Sequence, residues 1–361
     1  MTRPVITAAE AACALGDTSD SCLSAWQAGQ SALSREDGLL AGRIADRRLL
    51  KGRRYGAAAN LAVHVARNAV AKAGWTAEQT RDAWIFAASS RGNAGELLHA
   101  HAWRRPSKRF SASNTLHGEI AAAVSIELGI KGPWQMLSNG CSSGLDALGL
   151  GWMALQAGMT RRVLVVAVDL PLVPELLRDF HHTRLLATND LNDPLAPSTT
   201  GFHPGEAAAA LTLEADGDGP CVTRYAANSD AYDSLVIPED GASLAALLAG
   251  FETPDLICPH ATGTPNHAVA EMNALRTAYG EVPPLLLLKP FTGHTLGASG
   301  LLDVVLVAEA LRQGGVPDNL PGLFSPPGVC LAVPGLPARV LKIASGMGGH
   351  NAAVMLETKS R

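Results

Sequence analysis

The chain has 361 residues, 47% of them hydrophobic and only 17% charged. That is enough apolar material for a large core or two fused halves, and too little charge for a disordered protein. With 29 Lys and Arg against 33 Asp and Glu the net charge is −4, which gives no global pull toward nucleic acid.

The opening stretch, MTRPVITAAEAACALG, lacks the long apolar run of a secretory signal. The longest weakly charged stretch, Leu137 to Thr160, carries Ser, Asn, Gln and Asp146, so it reads as buried and not as a membrane span. Six cysteines (13, 22, 141, 221, 258 and 330) form no Cys-x-x-Cys pair, which argues against structural zinc. A cytoplasmic protein with reduced thiols is expected. Charge is uneven along the chain: residues 1–110 hold 16 Lys and Arg against 9 Asp and Glu, the remainder 13 against 24. The positive excess gathers at Arg43, Arg47, Arg48, Lys51, Arg53 and Arg54, and again at Arg104, Arg105, Lys108 and Arg109. A solvated face is the plainer reading. A docking surface for an acidic partner or a phosphate is the sharper one.

In chain order, helical periodicity predicts helices over Ala57–Gly74, Gly118–Leu128, Ser143–Ala157, Ala268–Tyr279 and Ser299–Gln313. Short apolar runs predict buried strands over Ala83–Ala88, Arg162–Asp169, Ala208–Glu214, Pro284–Leu288 and Val340–Ala344. Strands and helices alternate, which implies an α/β fold. Pro171, Pro194, Pro197 and Pro204 break one long connection, and Gly314 to Pro337 reads as a Pro-rich surface loop. There is also an internal echo. CSSGLDALGLGWMALQAG precedes the strand RRVLVVAVD, and GASGLLDVVLVAEALRQGG precedes, after the Pro-rich loop, ARVLKIASG. Both read small-residue turn, apolar helix, strand, which suggests two similar halves, 1–217 and 218–361.

Three turns carry candidate chemistry. Cys141 lies in LSNGCSSGLDALGL, where a strand-like stretch gives way to a small-residue turn and an apolar helix. A helix start favours the thiolate and offers backbone donors to an oxyanion. A lone cysteine is more often simply buried, but its Gly and Ser neighbours let a substrate approach the main chain. His260 lies in LICPHATGTPNHA and His294 in LLLLKPFTGHTLGASG; each follows an apolar strand and enters a turn rich in Gly and Thr. Lys289 closes the second of those strands, where the plain reading is strand termination by a solvated charge.

Taken together, NGCSSG, HATGTP and KPFTGHTLGASG resemble the motifs of the β-ketoacyl synthases, the Cys-His-His ketosynthases of the condensing-enzyme family. GFHPGEAAAALTLE, SGMGGHN and the opening VITAAEAACALG resemble further family patterns, in the same order along the chain. The resemblance implies a thiolase-like fold, α/β, with two similar halves in αβαβα layers, and a homodimer or a heterodimer with another ketosynthase-type subunit. It implies Cys141 as the acyl-accepting nucleophile, and His260 and His294 as the pair that stabilises the enolate formed when a malonyl thioester loses CO₂. Lys289 becomes a supporting residue and Glu271 an acidic partner near it. The N–H groups of Cys141 and Met347 become the oxyanion hole, and Thr262 and Thr264 become contacts for the phosphopantetheine arm. No metal and no bound cofactor are implied, because phosphopantetheine arrives on acyl carrier protein.

Some positions depart from the family pattern. His267-Ala268 stands for Asn-Asp, Ala261 for Gly, Ser345 and Met347 for Phe, and His350 for Thr. They suggest a specialised branch of polyketide, aryl-polyene or fatty-acid type with a reshaped acyl entrance. A degradative thiolase is disfavoured because SGMGGHN lacks a second Cys, and a Cys-His-Asn synthase because His294 is not Asn. Two other readings stay open: a chain-length-factor-like partner of another ketosynthase, and an acyltransferase that does not decarboxylate.

Overall fold

The computed structural model describes residues 3–36, 38–98 and 110–358. The basic cluster Arg104, Arg105, Lys108 and Arg109 lies outside the described residues.

Eleven strands are present among the described residues: β1 (Val5–Cys13), β2 (Ser34–Glu36), β3 (Leu39–Ala41), β4 (Trp84–Ala88), β5 (Trp134–Leu137), β6 (Arg162–Asp169), β7 (Ala207–Glu214), β8 (Cys221–Ser229), β9 (Leu256–Cys258), β10 (Arg339–Gly346) and β11 (His350–Glu357). Nine of them form one sheet in the order β5-β4-β6-β7-β1-β8-β11-β10-β9, and β2 and β3 form a small hairpin. β1 and β8 share only one register pair, Val5 with Cys221. The sheet is therefore two smaller sheets touching at a corner.

The strand residues explain the layering. Side chains alternate across a strand, and here both faces are apolar. On β6, Val163, Val165 and Ala167 join one core, while Leu164, Val166 and Val168 join another. On β11, Ala352, Val354 and Leu356 join the first core, and Ala353 and Met355 a third. The first core is central. It holds the helices Ser143–Gln156 and Ser299–Arg312, sandwiched between the two small sheets. The helices Ala57–Ala73 and Glu119–Leu128 cover one outer face, and Ala242–Leu248 and Pro265–Tyr279 cover the other. The result is five layers, αβαβα, with two similar halves, as the resemblance implies. The helix Ser299–Arg312 is buried from Ser299 through Leu311, and the helix Ser143–Gln156 carries glycines where neighbours approach closely. A Cβ on Gly149 would sit 2.3 Å from the Tyr225 ring.

The predicted helices form with ends shifted by at most three residues. Gly74 and Gly129 end theirs with positive φ, at 66° and 71°, where an L side chain is strained. The predicted strand over 284–288 is different. It makes a single bridge to the sheet, Leu285 to Ile257. Pro283 and Pro284 have no N–H to give a ladder, the Leu285 amide donates to Cys330 O, and the Asn319 side chain takes the Leu285 carbonyl and the Leu287 amide. No helix among the described residues is long and apolar enough to cross a membrane.

The basic cluster of residues 43–54 is partly structural. Glu206, 2% exposed, is held by the guanidinium of Arg47, by Arg43 at 3.7 Å and by the Ile44 amide at 3.2 Å. Arg48 pairs with Asp46 and Arg54 with Glu127. Four of the six cluster cations thus carry an ion pair within the chain, while Arg48 and Arg54 stay exposed.

Candidate active site

Cys141 lies in a short 3-10 turn, Gly140–Ser142, that runs directly into the helix Ser143–Gln156. The turn is tied by one carboxylate. Asp146, in the first turn of that helix, accepts from the Asn139 side chain at 2.9 Å and from Ser142 Oγ at 3.2 Å, on either side of the cysteine. It also accepts from Tyr225 Oη at 2.9 Å and contacts His350 Nε2 at 3.0 Å, which raises the His350 pKa through that contact. The Cys141 turn and the final SGMGGHN segment are locked together through this one group.

The main chain of Gly346 and Met347 faces the thiol turn. A Cβ on Gly346 would lie 3.3 Å from the Cys141 nitrogen, and one on Gly140 would lie 3.5 Å from the Met347 nitrogen. The two amides named for the oxyanion hole are therefore neighbours. Gly140 has φ 63°, so it meets both the steric and the dihedral demand of this close approach.

His294 is delivered by the turn after Lys289–Thr292. Its amide donates to His203 O at 2.7 Å and its carbonyl accepts from Gly205 at 3.0 Å. Gly205 is needed for this: a Cβ there would lie 2.3 Å from Thr292 O. Phe202 packs edge-on against the His294 ring at 5.1 Å. His260 follows β9. Glu271 accepts from the amides of His260 at 2.6 Å and Ala261 at 2.7 Å, and Ala261 takes a left-handed φ of 40°. Glu271 thus acts by gripping the His260 turn, and no ion pair joins it to Lys289.

The three side chains converge. Cys141 Sγ is 3.2 Å from His294 Nε2, the His260 and His294 rings are 5.2 Å apart, and one donor atom from each residue lies within 4.8 Å of the others. All three are buried, at 6%, 2% and 2% exposure. They are also the one Cys/His/Asp/Glu group among the described residues spaced to share a metal ion.

Burial governs the charges. It pushes the Cys141 thiol up to about 12, with Lys289 pulling the other way. Burial, reinforced by Lys289, holds His260 and His294 well below the usual histidine range. The resting group is therefore a thiol hydrogen-bonded to a neutral imidazole, whereas the helix start alone suggested a thiolate. Lys289 is itself lowered to about 8, by burial and then by Lys342.

Below His260 lies a feature the sequence reading missed. Lys342 Nζ donates to Asp303 Oδ2 at 2.5 Å and to Pro259 O at 3.0 Å, with both charged side chains 2% exposed. A charged residue inside the apolar run ARVLKIASG was the available signal. Asp169 was missed too. It accepts from Ser89, Ser90, Arg91 and the Gly297 amide, joining the end of β6 to the turn after His294.

A cavity of about 210 Å³ opens onto Cys141, His260 and His294. Thr262, Thr264 and Met347 line it, with Phe180 and Phe202 forming part of the apolar wall. Thr262 and Thr264 hydroxyls bond each other at 2.9 Å.

A five-layered fold with a buried cysteine and two histidines at one cavity defines a thiolase-fold protein with a condensing-enzyme type of site. The chain belongs to the beta-ketoacyl synthase family: the family's N-terminal domain matches residues 39–218 and its C-terminal domain residues 221–322. It is 30% identical over 270 residues to the actinorhodin polyketide putative beta-ketoacyl synthase 1 of Streptomyces coelicolor, a match covering 66% of this chain and 57% of that protein. The fold is shared with a type II ketosynthase solved with its acyl-carrier protein and bound to the hexaketide (TM-score 0.87, 20% identity, 99% of each chain). It is shared equally with the ishigamide ketosynthase/chain length factor (TM-score 0.88, 22% identity, 99% of this chain and 100% of that one).

Proposed function

We propose that the chain is a ketosynthase that loads an acyl group onto Cys141 and extends it by decarboxylative Claisen condensation with a malonyl unit on acyl carrier protein. One observation carries this reading: the buried thiol hydrogen-bonded to His294 Nε2 at 3.2 Å, with a second imidazole beside it.

In the first half-reaction the thiol gives its proton to His294 as sulfur attacks the acyl thioester. The Cys141 and Met347 amides receive the tetrahedral oxyanion. The carrier thiolate leaves and takes the proton, and Cys141 holds the acyl group as a thioester. In the second, the malonyl thioester carbonyl rests on His260 and His294. The bond to the carboxylate breaks, CO₂ leaves, and the electron pair forms an enolate held by both imidazoles. The enolate carbon attacks the acyl carbonyl, and the Cys141 thiolate departs and takes one proton from solvent, relayed through His294. Nδ1 of His260 and Nδ1 of His294 make no hydrogen bond among the described residues. Neither ring is fixed in one tautomer, so Nε2 of His294 can accept in the first step and donate in the second.

In this reading Lys289 supplies positive charge behind the imidazoles, Glu271 positions His260, and Thr262 and Thr264 contact the pantetheine arm. The chain divides into halves 1–217 and 218–361, each supplying part of the site. No bound cofactor is required. Acyl carrier protein and a second subunit of the same fold are the partners. A partner subunit that only shapes another ketosynthase's pocket would have no need of the Cys141–His294 contact. Intact mass after incubation with an acyl thioester, followed by CO₂ release from malonyl carrier protein, tests the proposal.

A further inference from the structure

The scheme above leaves one buried imidazole of the cavity unused. His267 is 7% exposed and stands edge-on to His260 at 5.0 Å between ring centroids. It lines the cavity, and neither of its ring nitrogens has a hydrogen-bond partner among the described residues. Glu271 Oε2 is 3.7 Å from Nδ1, too far for a hydrogen bond, and both Glu271 oxygens already accept main-chain amides. A buried polar group left this way is destabilising and favours a partner that satisfies it.

The start of the helix Pro265–Tyr279 is the second observation. His267 is its third residue. Thr264, at the N-cap, gives no side-chain cap, because its hydroxyl is turned to Thr262. Open first-turn amides and the positive end of the helix dipole favour an anion. Thr264, Pro265, Asn266 and His267 all line the cavity. The corner therefore joins an uncapped helix start to an unpartnered ring. It lies one ring from His260.

We propose that this corner is a carboxylate subsite, where His267 and the open helix start hold the free carboxylate of a malonyl-type half-thioester whose carbonyl rests on His260 and His294. The choice of a malonyl-type substrate rests on the condensing reading; the subsite itself rests on the geometry. The bond to the carboxylate exists only before CO₂ leaves. It therefore selects the substrate and acts on KM, without raising kcat.

The test uses the intact protein and two non-reacting probes, the malonyl and acetyl amide analogues of pantetheine, each titrated calorimetrically with and without the terminal phosphate. The wild type is expected to prefer the malonyl amide. His267→Ala should lose about tenfold in affinity for it, the worth of one hydrogen bond to a charged group. Affinity for the acetyl amide should stay within twofold, and His267→Gln, which keeps a donor, should recover part of the loss. Equal weakening of both amides, or no change in either, would overturn the subsite. A loss confined to the phosphorylated probes would also overturn it, by assigning the corner to the phosphate. CO₂ release by the wild type is read separately. If it is absent while the malonyl preference depends on His267, the condensing reading fails and the subsite stands. If it is normal while the preference ignores His267, the subsite alone fails.

Discussion

Asp303→Asn should destabilise the fold by about 3–5 kcal/mol, the usual cost of removing one partner from a buried ion pair. The structure supports a value in that range. The charged atoms are 2.5 Å apart and both side chains are 2% exposed. At an effective dielectric near ~20 the gross attraction at that separation is about 6–7 kcal/mol. Pro259 O, 3.0 Å from Nζ, stays as an acceptor and offsets part of the loss. Burial alone would lower the Lys342 pKa, and Asp303 is what raises it; without the carboxylate the lysine sheds its proton more readily. Lys289 feels the two partners in opposite directions, lowered by Lys342 and raised by Asp303. Urea unfolding of Asp303→Asn, Lys342→Met and the double variant reads the stability. The double variant should recover most of the loss, since it leaves no unpaired charge buried in the site. A cost below about 1 kcal/mol for Asp303→Asn, or a double variant as unstable as the single, would refute the reasoning.

Gly346→Ala should lower the rate of Cys141 acylation by about 10² or more, the effect of losing one oxyanion donor, because its Cβ would meet Asn139 O at 2.7 Å and the Cys141 nitrogen at 3.3 Å; stopped acylation assays with an acyl thioester check this. Ala261→Gly should stabilise by roughly 0.5–1 kcal/mol in urea unfolding, as relief of the φ 40° strain outweighs the added chain entropy. The pH profile of kcat/KM should fall on the alkaline side, near pH 8. Lys289, lowered to about 8, is charged below that value and loses its positive charge above it. No acid limb should appear near 6.5, since burial holds His260 and His294 well below the usual histidine range; an acid limb there would contradict the proposed assignment.

The fold was legible where pattern alone determines it. β6 matches its predicted bounds, Arg162–Asp169, because an eight-residue apolar run between helices has few other solutions. The 284–288 segment was misread because apolarity identifies a buried run, not whether its amides find a ladder. In the site, the turns around Cys141, His260 and His294 were visible as small residues after apolar strands. Their contacts were not. Asp146 could have been singled out as the one carboxylate between Leu137 and Thr160, yet its reach to His350, 204 residues away, is set by the tertiary fold. The charge of the thiol was also hidden, since a helix start is readable in sequence and the depth of burial is not. The pairing within the basic cluster was hidden for the same reason: only the tertiary fold places Glu206 between Arg43 and Arg47.

The central claim is that one site performs both acylation and decarboxylation, and the most direct measurement reads both in one experiment. The protein is incubated with acyl-carrier protein and labelled malonyl-carrier protein, alone and with any partner subunit, while acyl mass on Cys141 and released CO₂ are followed together. A substrate-like thioester is required, because a simple alkylator would also reach exposed Cys330. Wild type should show both signals. His294→Ala should slow both acylation and CO₂ release, His260→Ala should still form acyl-enzyme but release little CO₂, and Cys141→Ala should lose the acyl mass while the imidazole pair keeps a slow release. A wild-type protein that is acylated on Cys141 yet never releases CO₂, with or without a partner, would contradict the account and leave an acyltransferase or a pocket-shaping subunit in its place.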